Sequence, residues 1–200
     1  MVAGSREYRL FWDSTMANPN GDMLNENQPR KDIKTGQLEV SEVRIKRFVR
    51  DEWDAMGQNI LVQTTTNEAG KVLSCATRIA EIAKGDNAKK EKIEDKKLKQ
   101  YLLDNYIDVR LFGAVITKPK HDITGPLQVT WSRSVHVADI KFMQGNAAYA
   151  SGEGKAQSSI WSKYITPYAL FKTYAVYNSK VAEREGAAVT EDDLDNFTKA

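Results

Sequence analysis

The sequence is poor in the residues that build disulfides and most transition-metal centres. Among 200 residues it contains one cysteine, Cys75, and two histidines, His121 and His136. A single cysteine cannot form an internal disulfide, and it excludes a site with several cysteine ligands. The chain also lacks a run of apolar residues as long as the roughly 18 that a membrane-spanning helix requires. We therefore expect no contact with the membrane interior.

Targeting and catalytic signatures are missing as well. Residues 1–7 contain no apolar signal core, so we expect a cytoplasmic protein. There is no glycine-rich phosphate loop and no dinucleotide-binding fingerprint. A thiol–imidazole pair of Cys75 and His136 has no supporting local motif, and Cys75 is expected to be a buried apolar residue. We predict no catalytic residues, no metal site and no cofactor.

The composition is that of an ordinary globular domain whose charge is unevenly distributed. Hydrophobic residues make up 41% and charged residues 28% of the chain. The net charge is +2, but residues 183–200 contribute −4, so residues 1–182 carry about +6. Seven bases and three acids lie between Arg30 and Arg50. A basic body of this kind suits an anionic partner.

The first 60 residues predict a strand, a long loop and a helix. Residues 6–14 alternate in polarity, which indicates a half-buried strand. The turn-forming residues 18–22 and a polar stretch to Glu39 then predict a loop. Ser41 can cap a helix on which apolar residues recur at helical spacing. The residues expected on its buried face are Ile45, Phe48, Val49, Trp53 and Met56.

The remainder predicts further strands around an inserted region. Residues 108–116 are expected to form a short buried helix. A strand over 127–137 would bury Leu127, Val129, Trp131, Val135 and Val137. Arg133 falls in the same register, so either a bulge moves it out or it has an anionic partner.

Residues 138–163 predict an extended hairpin, 168–177 a strand, and Thr190 the cap of a last helix. The element order is typical of an α+β, ferredoxin-like or RRM-like domain without its final strand.

Two kinds of site are compatible with the residues. Asp22 and Asp32, in the loop after the first strand, could hold a divalent metal for phosphodiester cleavage, or they could simply form turns. The basic residues of the loop and the following helix could contact a phosphate chain, or they could form an ordinary solvated face. The aromatic signature of base-stacking RRM domains is missing.

Three segments, in order along the chain, resemble one known family. The first joins Asn18-Pro19-Asn20-Gly21-Asp22 and Pro29-Arg30 to Val40-Ser41-Glu42-Val43-Arg44-Ile45-Lys46-Arg47. The second is Asp108–Gly113, and the third runs from Thr124 to His136. A weaker match joins 167–171 to 190–194. On these motifs the chain resembles the backbone subunit of type I CRISPR Cascade complexes, most closely the type I-B and I-C branches.

The resemblance implies a non-catalytic protein that binds CRISPR RNA in antiviral defence. Family members have a modified RRM palm with inserted fingers, web and thumb. Several copies form a filament along one guide RNA and leave its bases exposed to pair with target DNA. The implied partners are CRISPR RNA, neighbouring copies, other Cascade subunits and, through the guide, target DNA.

The resemblance also assigns parts of this chain. In a single domain, 1–200, the web is 17–39, the fingers are 58–107 and the thumb hairpin is 138–163. Relatives continue into a final strand, so the C-terminal part of the palm is expected to be missing. RNA contacts are expected from Asn18, Asn20, Arg30, Lys31, Ser41, Arg44, Lys46, Arg47 and Arg133.

In the thumb, Phe142, Met143 and Trp161 are candidates for the side chain that wedges beside a displaced base, or they pack against the palm. Two other functions stay open: a metal-dependent endoribonuclease of the type III backbone kind, and a generic single-strand RNA-binding RRM module.

Overall fold

The computed structural model describes residues 1–84, 93–150 and 158–200. The strands are β1 (Ser5–Ala17), β2 (Gly21–Asp22), β3 (Gln28–Pro29), β4 (Gln37–Val40), β5 (Gly113–Thr117), β6 (Lys120–Thr124), β7 (Leu127–Val129), β8 (Ser132–Val137), β9 (Lys141–Ala150) and β10 (Ser158–Asn178). The α-helices are α1 (Glu42–Ala55), α2 (Cys75–Ala83), α3 (Asp95–Asn105), α4 (Ile107–Phe112), α5 (Ser179–Glu185) and α6 (Glu191–Lys199). Within the described ranges, no helix is long and apolar enough to cross a membrane.

The described chain forms two units, and each is built from two or three separate stretches of the sequence. The sheet unit comprises residues 8–45 and 129–175, and the helical unit comprises residues 1–7, 46–128 and 176–200. Helix α1 begins in the sheet unit and ends in the helical unit. Local sequence patterns do not mark these boundaries, because each unit is assembled from segments that are distant in sequence.

An antiparallel sheet organises the sheet unit, with the strand order β1-β10-β8-β4. Phe171 of β10 is paired with Ser134 of β8 and is completely buried. Trp12 of β1 stacks on the Phe171 ring with centroids 4.4 Å apart, and its indole Nε1 donates to Thr173 Oγ1 at 2.9 Å. The alternation predicted for residues 6–14 is confirmed, and the strand extends from Ser5 to Ala17.

Strand β8 corrects the prediction of one continuous strand with a single apolar face. The strand is interrupted at residues 130–131, and the alternation restarts out of phase. Ser132 and Ser134 are therefore buried, while Val135 and Val137 are 48% and 65% exposed. The buried Ser132 hydroxyl is satisfied by a hydrogen bond to Thr173 Oγ1, which lowers the cost of burying it.

The same interruption accounts for Arg133. It places this side chain on the exposed side of β8, where the guanidinium lies 2.9 Å from the Glu39 carboxylate of β4. Glu39 and Lys172 are the cross-strand neighbours of Arg133. The two alternatives predicted for Arg133, an outward position and an anionic partner, are therefore both found.

The helical unit packs around a line of aromatic rings. Trp53 of α1 is completely buried and stacks on Phe112 with ring centroids 5.1 Å apart. Phe112 also meets Phe197 of α6 edge to face at 6.3 Å. The predicted inner face of α1 is confirmed at Ile45, Val49 and Trp53. It is wrong at Phe48, which is exposed, and at Met56, which is exposed and follows the last residue of α1.

The segment 108–113 is a structural connector. Asp108 is fully buried, and it accepts hydrogen bonds from Arg50 Nε and from the backbone N–H groups of Leu61 and Val62 at 2.9–3.0 Å. Arg110 forms a bidentate pair with Asp193 of α6, at 2.6 and 3.0 Å. These two side chains of the motif therefore hold a loop and a helix against α4.

Gly113 ends α4 and turns the chain into a strand, so the prediction of one helix over 108–116 is wrong. Its φ is +75°, and a Cβ there would lie 2.2 Å from Ile123 O. Gly125 also lies against the backbone at the end of α4, because a Cβ at Gly125 would lie 2.2 Å from the Phe112 carbonyl carbon. Both glycines are required by close backbone approach.

Other predictions need correction. The polar stretch expected to be a loop contains a short hairpin of β2 and β3, and β4 begins in it at Gln37. Cys75 is exposed at the first residue of α2. The expected fingers include residues 85–92 and the expected thumb includes 151–157, both of which lie outside the described residues.

Candidate nucleic-acid interface

The loop after β1 is bonded to the start of α1. The Asn20 carboxamide oxygen accepts from the Ser41 backbone N–H at 2.9 Å, and the Asn20 carbonyl accepts from Arg30 N–H at 3.1 Å. Ser41 Oγ in turn accepts from Arg44 N–H, and Arg44 Nε donates to Pro19 O, both at 3.3 Å. Five residues of the resemblance motif therefore form one connected corner of the sheet unit.

This corner presents donors of the kind that bind phosphate. The Arg44 residue is exposed, and its Nε donates to the Pro19 carbonyl of the loop, which helps to orient the guanidinium. The first turn of α1 adds the positive end of a helix dipole. Arginine, polar side chains and helix N-termini supply most phosphate contacts in nucleic-acid complexes.

The short hairpin of β2 and β3 is pinned beside this corner. Asn18 Nδ2 donates to Asn27 O at 2.6 Å. Glu26 and Asn27 both have positive φ, at 52° and 58°. A Cβ on Gly21 would lie only 1.9 Å from Asn27 Oδ1, so the Asn27 side chain lies directly over Gly21. The turn thus fixes the direction of the Asn27 side chain.

The two aspartates considered as metal ligands both accept local hydrogen bonds that stabilise turns. Asp22 accepts from Asn25 Nδ2 and from Leu24 N–H, and these bonds lower its pKa. Asp32 accepts from Lys34 N–H and Thr35 Oγ1, with the same effect on its pKa. Among the described residues there is no cluster of three or more metal-ligating side chains.

The other predicted contacts lie on several surfaces. In the sheet unit, Arg30 approaches Asp22 at 3.5 Å, and Lys31 Nζ donates to Ala138 O at 3.4 Å. In the helical unit, Lys46 Nζ lies 5.4 Å from the centre of the Phe112 ring, and Arg47 pairs with Asp51 at 2.7 Å. The structure therefore brings together Asn20, Arg30, Ser41 and Arg44, whereas Lys31, Lys46 and Arg47 have separate partners.

The long hairpin, formed by β9 and residues 158–165 of β10, carries the three aromatic and apolar candidates. Phe142 is 54% and Trp161 is 41% exposed, and Met143 is half-buried. Phe142 is paired with Tyr164, and Met143 with Lys163.

Sequence reasoning missed three residues beside Phe142: Tyr164, Glu26 and Asn27. No local pattern could have revealed them, since two lie in a turn about 115 residues earlier.

Comparison with known proteins gives the family. The sequence profile of the family described as CRISPR-associated protein Cas7 matches residues 5–200. The chain belongs to the Cas7 family. A curated relative, CRISPR-associated protein Cas7 of Haloferax volcanii, is 31% identical over 119 residues, which are 58% of this chain and 34% of that protein. The chain thus spans about a third of the length of that relative.

Two solved structures share the fold of this Cas7-family chain. A chain of a "CRISPR RNA-guided surveillance complex, pre-nicking" has a TM-score of 0.63 at 14% identity, with 98% of this chain and 71% of that chain covered. A chain of a "CRISPR RNA-guided surveillance complex" has a TM-score of 0.55 at 16% identity, with coverages of 98% and 59%. The mixed helix and sheet architecture, with its antiparallel sheet, is therefore that of chains in such complexes.

Proposed function

We propose that this chain is a non-catalytic, CRISPR RNA-binding backbone subunit of a type I surveillance complex, of the I-B or I-C kind. Copies polymerise along the guide and leave its bases free to pair with target DNA, together with other Cascade subunits. The observation that carries this proposal is the Cas7 family match over residues 5–200.

The local geometry supports sequence-independent RNA binding. The corner of Asn20, Ser41 and Arg44 offers phosphate-binding donors, and Asn18 holds the short hairpin beside it. In this proposal the sheet unit is a modified RRM palm, because β10 pairs with both β1 and β8. The short hairpin belongs to the web, residues 58–107 to the fingers, and the long hairpin to the thumb.

RNA binding is tested with Arg44→Ala combined with Arg47→Ala. The double variant should weaken binding by a similar factor for unrelated RNA sequences, and the slope of log K against log salt should fall by about 0.7 per lost contact. Arg184→Ala is the matched control, since Arg184 is exposed and paired to its neighbour Glu185 outside the basic segment. A changed sequence preference with an unchanged salt slope would contradict the phosphate assignment.

Polymerisation is tested by RNA length. The number of bound copies, measured by mass photometry, should rise stepwise as the RNA is lengthened. Shortening residues 145–157 should leave the binding of one copy nearly intact and abolish this orderly growth. One copy per RNA at every length would favour the generic RNA-binding module over a filament subunit.

A further inference from the structure

The long hairpin is a continuation of the longest strand of the sheet unit. Between residues 158 and 165, β10 pairs with β9, while Phe171 and Lys172 of the same strand pair with β8. Pro167 lies between these two parts of β10, and a proline has no N–H group to donate to a strand ladder. A hairpin of two strands is only marginally stable by itself. The direction of the long hairpin therefore depends on the contacts near its base.

A hydrogen bond joins the long hairpin to the short one. Tyr164 Oη donates to Glu26 Oε2 at 2.9 Å, although the two residues are 138 positions apart. This bond raises the pKa of Tyr164 above its ordinary value; burial adds to the effect, and the Gln28 side chain opposes it. The phenol therefore stays protonated at neutral pH and remains a donor. Both hairpins belong to the sheet unit.

The Phe142 ring supports Tyr164 from the neighbouring strand. The two residues are cross-strand partners, so their side chains lie on the same face of the long hairpin. Their ring centroids are 5.1 Å apart. Met143 is paired with the preceding residue of β10, Lys163, and lies on the other face. Phe142 thus restricts the movement of the ring whose hydroxyl reaches the short hairpin.

The tip of the short hairpin holds the acceptor of this bond in place. Glu26 and Asn27 both have positive φ, a conformation that residues other than glycine keep only where the surrounding structure enforces it. Asn18 Nδ2 donates to the Asn27 carbonyl, and the Asn27 side chain lies directly over Gly21. The backbone at Glu26 is therefore fixed by its neighbours in the short hairpin.

The two hairpins meet at this bond beside an open space of about 320 Å³. Its lining includes Glu26 and Asn27 from the short hairpin, and Phe142 and Tyr164 from the long one. A single exposed hydrogen bond adds little to the stability of a whole domain. It can nevertheless restrict a hairpin that would otherwise pivot at its base. Restricting a segment before it binds lowers the entropy that is lost on binding.

We propose that the hydrogen bond between Glu26 and Tyr164 is a latch that holds the long hairpin in one direction, so that successive copies add to the RNA in a fixed geometry. The inference rests on the filament function proposed above. Glu26 and Tyr164 are positioning residues for assembly, and they are not RNA ligands. The binding of a first copy should therefore be independent of the latch, whereas the addition of the next copy should depend on it.

The first test measures the direction of the long hairpin without RNA. Nitroxide labels are placed on the full chain by Leu24→Cys and Ile160→Cys, two exposed positions on the short and the long hairpin, with the exposed Cys75 replaced by serine. Double electron–electron resonance should give one narrow distance distribution. Tyr164→Phe and Glu26→Ala should broaden it. Glu26→Gln should keep it narrow, because its amide oxygen can accept the same bond.

The second test measures assembly with unlabelled variants of the full chain. Mass photometry on RNAs that hold one or two copies gives the binding constants of the first and the second copy. Tyr164→Phe should leave the first constant unchanged and lower the second about threefold to tenfold, the worth of one hydrogen bond. Glu26→Gln should restore the second constant. Tyr168→Phe is the matched control, because it removes a hydroxyl from the same strand outside the latch.

Each outcome decides the proposal. A narrow distribution in both Tyr164→Phe and Glu26→Ala overturns the latch, and so does a second-copy constant that these variants leave unchanged. Equal loss of both constants would make the two residues RNA ligands, and failure of Glu26→Gln to restore assembly would make the effect one of charge; either result overturns it too. If the parent chain never adds a second copy, the filament function itself is refuted and the assembly role falls with it.

Discussion

The replacement Asp108→Asn should remove a large part of the stability of the helical unit. Both Asp108 oxygens accept hydrogen bonds, from Arg50 Nε and from two backbone N–H groups. An asparagine offers an amide NH₂ in place of one oxygen, so at least one buried donor would face another donor. Breaking a buried ion pair from one side costs about 3–5 kcal/mol, against a typical total of about 5–15 kcal/mol.

Urea unfolding followed by tryptophan fluorescence measures this loss, because Trp53 is buried in the same unit. With a urea slope of about 2–3 kcal/mol/M, the midpoint should fall by roughly 1–2 M.

The matched control is Asp51→Asn on α1. It removes the exposed pair with Arg47 and should cost less than about 1 kcal/mol. If the two variants differ by less than about 1 kcal/mol, Asp108 does not anchor the loop as we infer.

Three further predictions concern the titration of Asp193, the replacement of Gly113 and the stability of RNA in the presence of divalent cations. Burial opposes ionisation of Asp193, but hydrogen bonds from Arg110 and Thr190 outweigh it and hold the pKa of Asp193 below its ordinary value. Its contribution should therefore be present above about pH 4 and lost as the pH falls through the lower folded-state pKa, and Asp193→Asn should flatten the pH dependence of the urea midpoint there. Gly113→Ala should lower Tm far more than Gly70→Ala, because both have φ near +75° but only Gly113 lacks space for a Cβ. RNA incubated with Mg²⁺ or Mn²⁺ should stay intact, and cleavage that disappears in Asp22→Ala would favour the endoribonuclease instead.

Local patterns predicted the elements whose stability is local. Helix α6 is an example: Thr190 Oγ1 accepts from Asp193 N–H, and Asp193 Oδ2 accepts from Thr190 N–H, which completes the capping box. The start of α1 was equally legible, because Ser41 accepts from Arg44 N–H within the same turn. Such signals depend on residues three or four apart, and no distant segment is needed to read them.

Only part of the candidate site could be predicted from the sequence. Arg44 and Ser41 stand out as a base and a cap at a helix start, so their segment could be named in advance. The sequence could not show that Asn20 uses its carboxamide oxygen to hold Ser41. It also could not show that Phe142, and not Met143, lies on the side of the short hairpin, because that depends on contacts between segments far apart in sequence.

The sequence by itself determined the alternation of β1, the caps of α1 and α6, and the motifs that mark the Cas7 family. The tertiary structure decided which apolar residues are buried and which polar residues have partners. In β8 the interruption at residues 130–131 buries serines and exposes valines. This is the opposite of what the alternation of apolar and polar residues predicts. Asp108 likewise acquires its role only when residues 50 and 61–62 fold around it. Both outcomes depend on contacts between distant segments, whose free energy exceeds any local preference.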